Sequence, residues 1–164
     1  MRTQKLLHKV KTEFWEKSSS EIRKLPKRTI KILNIDANGH VGRDPGPGIG
    51  NNGTEMWTFN GQQLQEMVTE SSMTALNTLN NCTNAGPTWF RRDAKGQGRI
   101  DYIVIDTNIL NWVKNNHGAT EWDEISRQGT PIDHKPVTCW INFKLIQEKG
   151  IKKKVNEHWR CERI

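Results

Sequence analysis

Three shortages in this sequence each remove a class of protein. Cysteine is scarce: Cys82, Cys139 and Cys161 are odd in number and widely spaced, with no CxxC pair and no Cys/His cluster. That spacing argues against a zinc site and a disulfide framework and leaves free thiols in a reducing compartment. Long apolar runs are missing as well, and none approaches the roughly 20 residues a membrane helix needs. The opening MRTQKLLHKV has charge but no apolar stretch of signal-peptide length. The expectation is a soluble, intracellular protein, cytoplasmic or nuclear, with no membrane partner. Apolar residues are few too, at 34% of 164 with a mean hydropathy of −0.79. One domain of this length then has a thin core, or part of the chain stays outside it.

Charge is plentiful and uneven. The formal net charge is +7. Residues 1–31 hold ten Lys/Arg against three Glu, residues 32–143 hold eight basic against twelve acidic groups, and residues 144–164 hold seven against three. Basic ends flank an acidic middle. A basic surplus suits a polyanion such as DNA or RNA, although a solvated helix face and a basic tail explain it equally well.

Apolar spacing predicts the elements. Leu6, Val10, Phe14, Ile22 and Leu25 recur at helical intervals, so residues 3–25 read as an amphipathic helix stopped by Pro26. TIKILNID (29–36) is β-branched and apolar, a strand. GRDPGPGIGNNG (42–53) is loop, and lacks the GK(S/T) ending of a nucleotide-binding phosphate loop. Asn60 is a candidate cap for a helix through Leu64, Met67 and Val68. MTALNT (73–78), PTWFRR (87–92), RIDYIVID (99–106) and HKPVTCWINF (134–143) read as strands, with DAKGQG (93–98) as a turn. From Lys144 onward no core face is visible. This order predicts an α+β fold, divided as a basic amphipathic helix (1–28), a main body (29–143) and a basic tail (144–164).

Three polar clusters sit where strands end, a usual place for chemistry. Asp36 and Asn38 lie two apart, so in extended backbone they share a face. A carboxylate beside a carboxamide suits phosphoryl chemistry, while an Asx turn closing a strand is the plainer reading of such a pair. Asp101 interrupts an apolar strand, where a buried carboxylate needs a cation; an outward-facing Asp on an edge strand is the alternative. Asp133 and His134 stand together ahead of the last strand. An imidazole oriented by a carboxylate can act as a base or contact phosphate, while two exposed loop residues are the plainer reading.

Taken in order, these clusters resemble the endonuclease/exonuclease/phosphatase superfamily, the DNase I-like fold. The C-terminal half of that family runs through GDFNxH(V)G, a helix, a TW strand, an (R/Q)IDYI strand and SDHxPV. This chain has IDANGHVG (35–42), TW (88–89), RIDYIVI (99–105) and IDHKPV (132–137). Residues 60–78, NGQQLQEMV through ALNT, and the entry FWEKSSSEIRKLPKRTIKIL (14–33) are similar to endonucleases fused to non-LTR retrotransposon reverse transcriptases and to the craniofacial development protein 2-like group.

The resemblance implies the C-terminal half of a four-layer α/β sandwich and a phosphodiesterase dependent on Mg²⁺ or Mn²⁺, with DNA the expected partner. Carried over, Asp36 handles a proton, Asn38 contacts the scissile phosphate, Asp101 pairs with His134, His134 contacts phosphate, and Asp133 helps to hold metal. The chain departs from the pattern at Ile35, Ala37 and Ile132, which stand where the family has Gly, Phe and Ser. The family's main metal-binding Glu belongs to its N-terminal half, and Glu13, Glu16 and Glu21 on the first helix read only as solvated. Impaired activity alone is therefore expected, with a further segment or partner covering an open sheet face. Two other readings remain: a non-catalytic fragment that binds nucleic acid or a partner, and a phosphatase of the same superfamily.

Overall fold

The computed structural model describes residues 2–42, 45–52, 56–91, 95–117 and 133–143. Helix α1 (Arg2–Lys24) leads into strand β1 (Ile32–Asp36), followed by helix α2 (Phe59–Glu70) and β2 (Met73–Ala75). A short 3₁₀ helix (Leu76–Thr78), β3 (Trp89–Phe90) and β4 (Gln97–Gly98) come before the longest strand, β5 (Asp101–Asp106). A second 3₁₀ helix (Thr107–Trp112) then leads to β6 (Val113–His117) and β7 (Thr138–Ile141). Helices and antiparallel strands are both present, so the fold is α+β.

Strands order as β1-β5-β2 in an antiparallel sheet, with β3-β4 and β6-β7 as two-stranded ribbons. The register sorts side chains onto two faces, because residues directly opposite in an antiparallel pair point the same way. Asp36↔Asp101, Asn34↔Ile103 and Ile32↔Ile105 share one face; Ile35↔Tyr102 and Leu33↔Val104 share the other. The second face packs with Leu64, Met67 and Val68 of α2 and Trp15 of α1. On the first face, Ile103 and Ile105 meet Val137, Cys139 and Ile141, so the β6–β7 ribbon covers the β5 side. β5 is buried from Tyr102 to Asp106, which is why its sequence reads as a near-continuous apolar run. β1 alternates exposed and half-buried residues instead, the mark of a strand covered on one side. Ile32 is 40% exposed, and Asn34 and Asp36 are exposed.

Several elements differ from expectation. Leu6, Val10, Phe14 and Leu25 are exposed, and the face of α1 turned to the core is marked by Trp15, with Ile22 packed against the same cluster. Trp15 sets that face because it buries the largest ring while its indole N–H donates to Asn60 Oδ1 at 3.3 Å. The cap of α2 is Thr58, whose hydroxyl accepts from Gly61 N at 3.3 Å and His40 N at 2.9 Å. Asn60 is buried inside the helix, engaged with Trp15 and Asn38. The strand expected over 29–36 begins at Ile32, and that over 73–78 turns into a 3₁₀ helix at Leu76. β3 and β7 are shorter than expected, and β4 lies within the stretch read as a turn. β6 is a strand that no apolar alternation in VKNNH announces. The tail from Lys144 lies outside the described residues.

Candidate active site

β1 and β5 run antiparallel with Asp36 opposite Asp101, so the last residue of one strand faces the first of the other. Two carboxylates are thereby placed side by side on the less covered face of the sheet. The backbone of Asp101 is held by two fully buried side chains: Thr88 Oγ1 accepts its N–H at 3.1 Å, and Asn77 Nδ2 donates to its carbonyl at 2.8 Å. These bonds take the place of strand pairing where β2 has ended.

The third group arrives from far along the chain. The segment 133–135 runs beside β3: Phe90 N donates to Asp133 O at 2.8 Å, Lys135 N donates to Thr88 O at 2.6 Å, and Trp89 and His134 form an antiparallel bridge. His134 Nδ1 lies 3.0 Å from Asp101 Oδ2, with the side chains 39% and 22% exposed. An ionised carboxylate only accepts, so the pairing places the proton on Nδ1 and leaves Nε2 as the nitrogen free for a ligand.

Asp36, Asp101 and His134 each offer a ligand atom, and those atoms lie within 4.8 Å of one another. They line a cleft of about 500 Å³ together with Asn34, Ile103, Pro136 and Val137. Two neighbouring carboxylates repel, and His134 can offset only one of them. The donor set of two carboxylates and an imidazole therefore fits a divalent cation, which would take up the remaining charge.

Not every residue singled out in the sequence joins this group. Asn38 is not on a common extended face with Asp36: its φ is 47°, in the left-handed region that Asn tolerates, and its N–H donates to Asp36 Oδ1 at 3.0 Å. The pair is an Asx turn at the end of β1, the plainer of the two expected readings. The turn exposes the Asn38 side chain while Asn60 Nδ2 holds its carbonyl at 3.1 Å. Asp133 is placed through its backbone carbonyl, and the three-residue group of possible metal ligands does not include it. Ile132 lies outside the described residues.

Other residues support the site without having drawn notice as chemistry. Tyr102 donates its hydroxyl toward Gly39 O at 3.0 Å and Arg99 O at 2.7 Å, tying the turn after Asn38 to the start of β5. His40 Nδ1 lies 3.3 Å from the same Arg99 carbonyl. These residues lie within the motif stretches IDANGHVG and RIDYIVI, which drew no role for them in the sequence. Elsewhere, Glu13 and Glu21 of α1 form ion pairs with Lys9 and Lys24, and the Lys24 hydrogen bond holds the Glu21 carboxyl below its ordinary range. Burial pushes the Cys139 thiol up, so it is a poor source of thiolate.

Among the described residues no helix is long and apolar enough to cross a membrane. Comparison of the chain with models of known protein families finds no match, and neither does comparison with curated proteins.

Proposed function

We propose that this chain carries the C-terminal half of a DNase I-like, metal-dependent phosphodiesterase centre that acts on DNA, of the retrotransposon-endonuclease type its motifs resemble. The observation that carries the reading is the convergence of Asp36, Asp101 and His134, from three separate segments, on one cleft. The resemblance treats these positions as parts of one site, and nothing in their sequence spacing requires them to meet.

The roles follow from the chemistry of the groups. Asp101 orients His134 through Nδ1, and the imidazolium form of the ring, which carries a proton on each nitrogen, donates from Nε2 to a phosphate oxygen. Asp36, at the strand end, is the carboxylate available to hold a proton or water. Asp36 and Asp101, whose carboxylates lie within 4.8 Å of each other and of the His134 ring, are the residues that would hold Mg²⁺ or Mn²⁺. Such a cation supplies charge neutralisation at the phosphate and a more acidic water. Asn38 contributes through the turn that presents Asp36. Asp133 contributes through the backbone bond that docks its segment on β3.

The family's principal metal-binding Glu comes from the sheet that packs over this one. Asn34, which lines the cleft, and Ile32, on the same face of β1, are exposed and form the surface that such a second sheet would cover. The test is nicking of supercoiled plasmid with Mg²⁺ or Mn²⁺, with and without chelator, comparing wild type with His134→Ala. Cation-dependent nicking that falls with the substitution supports the proposal; nicking indifferent to both rejects it.

A further inference from the structure

We infer that Thr88 is the positioning residue that sets the Asp101–His134 pair, and that it does so through both its side chain and its backbone. The inference rests on the functional reading above, since the pair it positions is the one assigned to phosphate.

Thr88 is fully buried and makes four hydrogen bonds to three segments. Its hydroxyl oxygen accepts from Ile100 N at 3.0 Å and from Asp101 N at 3.1 Å. Its own N–H donates to Gly98 O at 3.0 Å, and its carbonyl accepts from Lys135 N at 2.6 Å. One residue therefore holds the backbone of Asp101 and the backbone next to His134. Both partners of the 3.0 Å bond are referenced to the same point. Trp89, the next residue, forms the bridge to His134 itself.

The hydroxyl cannot be replaced by a methyl of the same size. Valine fills the space but leaves the Ile100 and Asp101 N–H groups without an acceptor in a buried setting. The start of β5 then has to move to find water or another acceptor, and the Asp101 carboxylate moves with it. Serine keeps the oxygen and the two bonds. The backbone bonds of Thr88 to Gly98 and Lys135 are unaffected by either change, so the comparison isolates the hydroxyl.

The readout is the tautomer of the neutral His134 ring, followed by its ¹⁵N shifts at mildly alkaline pH. Wild type and Thr88→Ser are expected to hold the Nδ1–H form that Asp101 accepts. Thr88→Val is expected to shift the ring toward the Nε2–H form by about tenfold, which corresponds to the loss of one net hydrogen bond. A folded Thr88→Val protein that keeps the Nδ1–H form overturns the inference, even if its melting temperature has dropped. Amide exchange of the wild type gives a second check that needs no variant: the Ile100 and Asp101 amides are expected to be protected. Rapid exchange of both would overturn the inference directly. The tautomer and exchange data do not depend on turnover. A protein that fails to nick plasmid but shows the predicted tautomers sinks the nuclease reading and leaves the Thr88 inference standing.

Discussion

The Nδ1 atom of His134 sits 3.0 Å from Oδ2 of Asp101, and the two residues lie 33 positions apart in the chain. In the proposed centre such a pair acts as a unit: the carboxylate fixes the ring, and the ring would carry the contact to phosphate. Asp101→Asn and His134→Ala are each expected to lower cation-dependent cleavage by about 10²-fold or more. The double variant is expected to be no worse than the more impaired single one. Single-turnover cleavage at saturating cation measures this, and multiplicative losses would mean that the two residues act separately.

Neighbouring aromatic residues on α1 are expected to behave in opposite ways. Trp15 is 3% exposed and hydrogen-bonded to Asn60, while Phe14 beside it is 55% exposed. Trp15→Ala is expected to cost about 3–5 kcal/mol of stability through its cavity, and Phe14→Ala to stay within about 0.5 kcal/mol. Urea denaturation of the two variants distinguishes them. Equal effects would mean that α1 packs by the stripe containing Phe14 and Leu6.

Gly61 lies in the first turn of α2, where Ala is normally the better helix former by about 1 kcal/mol. Here a Cβ would overlap the carbonyl group of His40, on the segment that follows Asn38. Gly61→Ala is therefore expected to destabilise by about 1–3 kcal/mol, the range typical of overpacking. A thermal or denaturant melt reads the sign. Stabilisation would show that the turn after β1 does not press on α2 as described.

The α+β class and the presence of most elements were legible because they rest on local patterns. β5 announced itself as RIDYIVID, and α2 by Leu64, Met67 and Val68. Less legible was anything set by a partner across space. Trp15 won the core face of α1 because of where Asn60 lies, which helical spacing does not report. β6 became a strand by pairing with β7, against its polar sequence. At the site, the meeting of Asp36, Asp101 and His134 was suggested only by the family resemblance. Asn38 shows how local chemistry prevails: its backbone satisfied Asp36 in an Asx turn, the plainer of the two readings that their spacing allowed. Thr88 was visible only as half of the TW motif, since a buried Thr gives no sign in sequence of which N–H groups it will accept.

The most direct test of the converged site is Mn²⁺ titration followed by paramagnetic broadening of assigned resonances in the intact chain. Broadening is predicted to begin at Asp36, Asp101 and His134 together, and to be lost in Asp36→Asn. Broadening that starts at the surface acids of α1, such as Glu13 and Glu16, and leaves His134 sharp would contradict it.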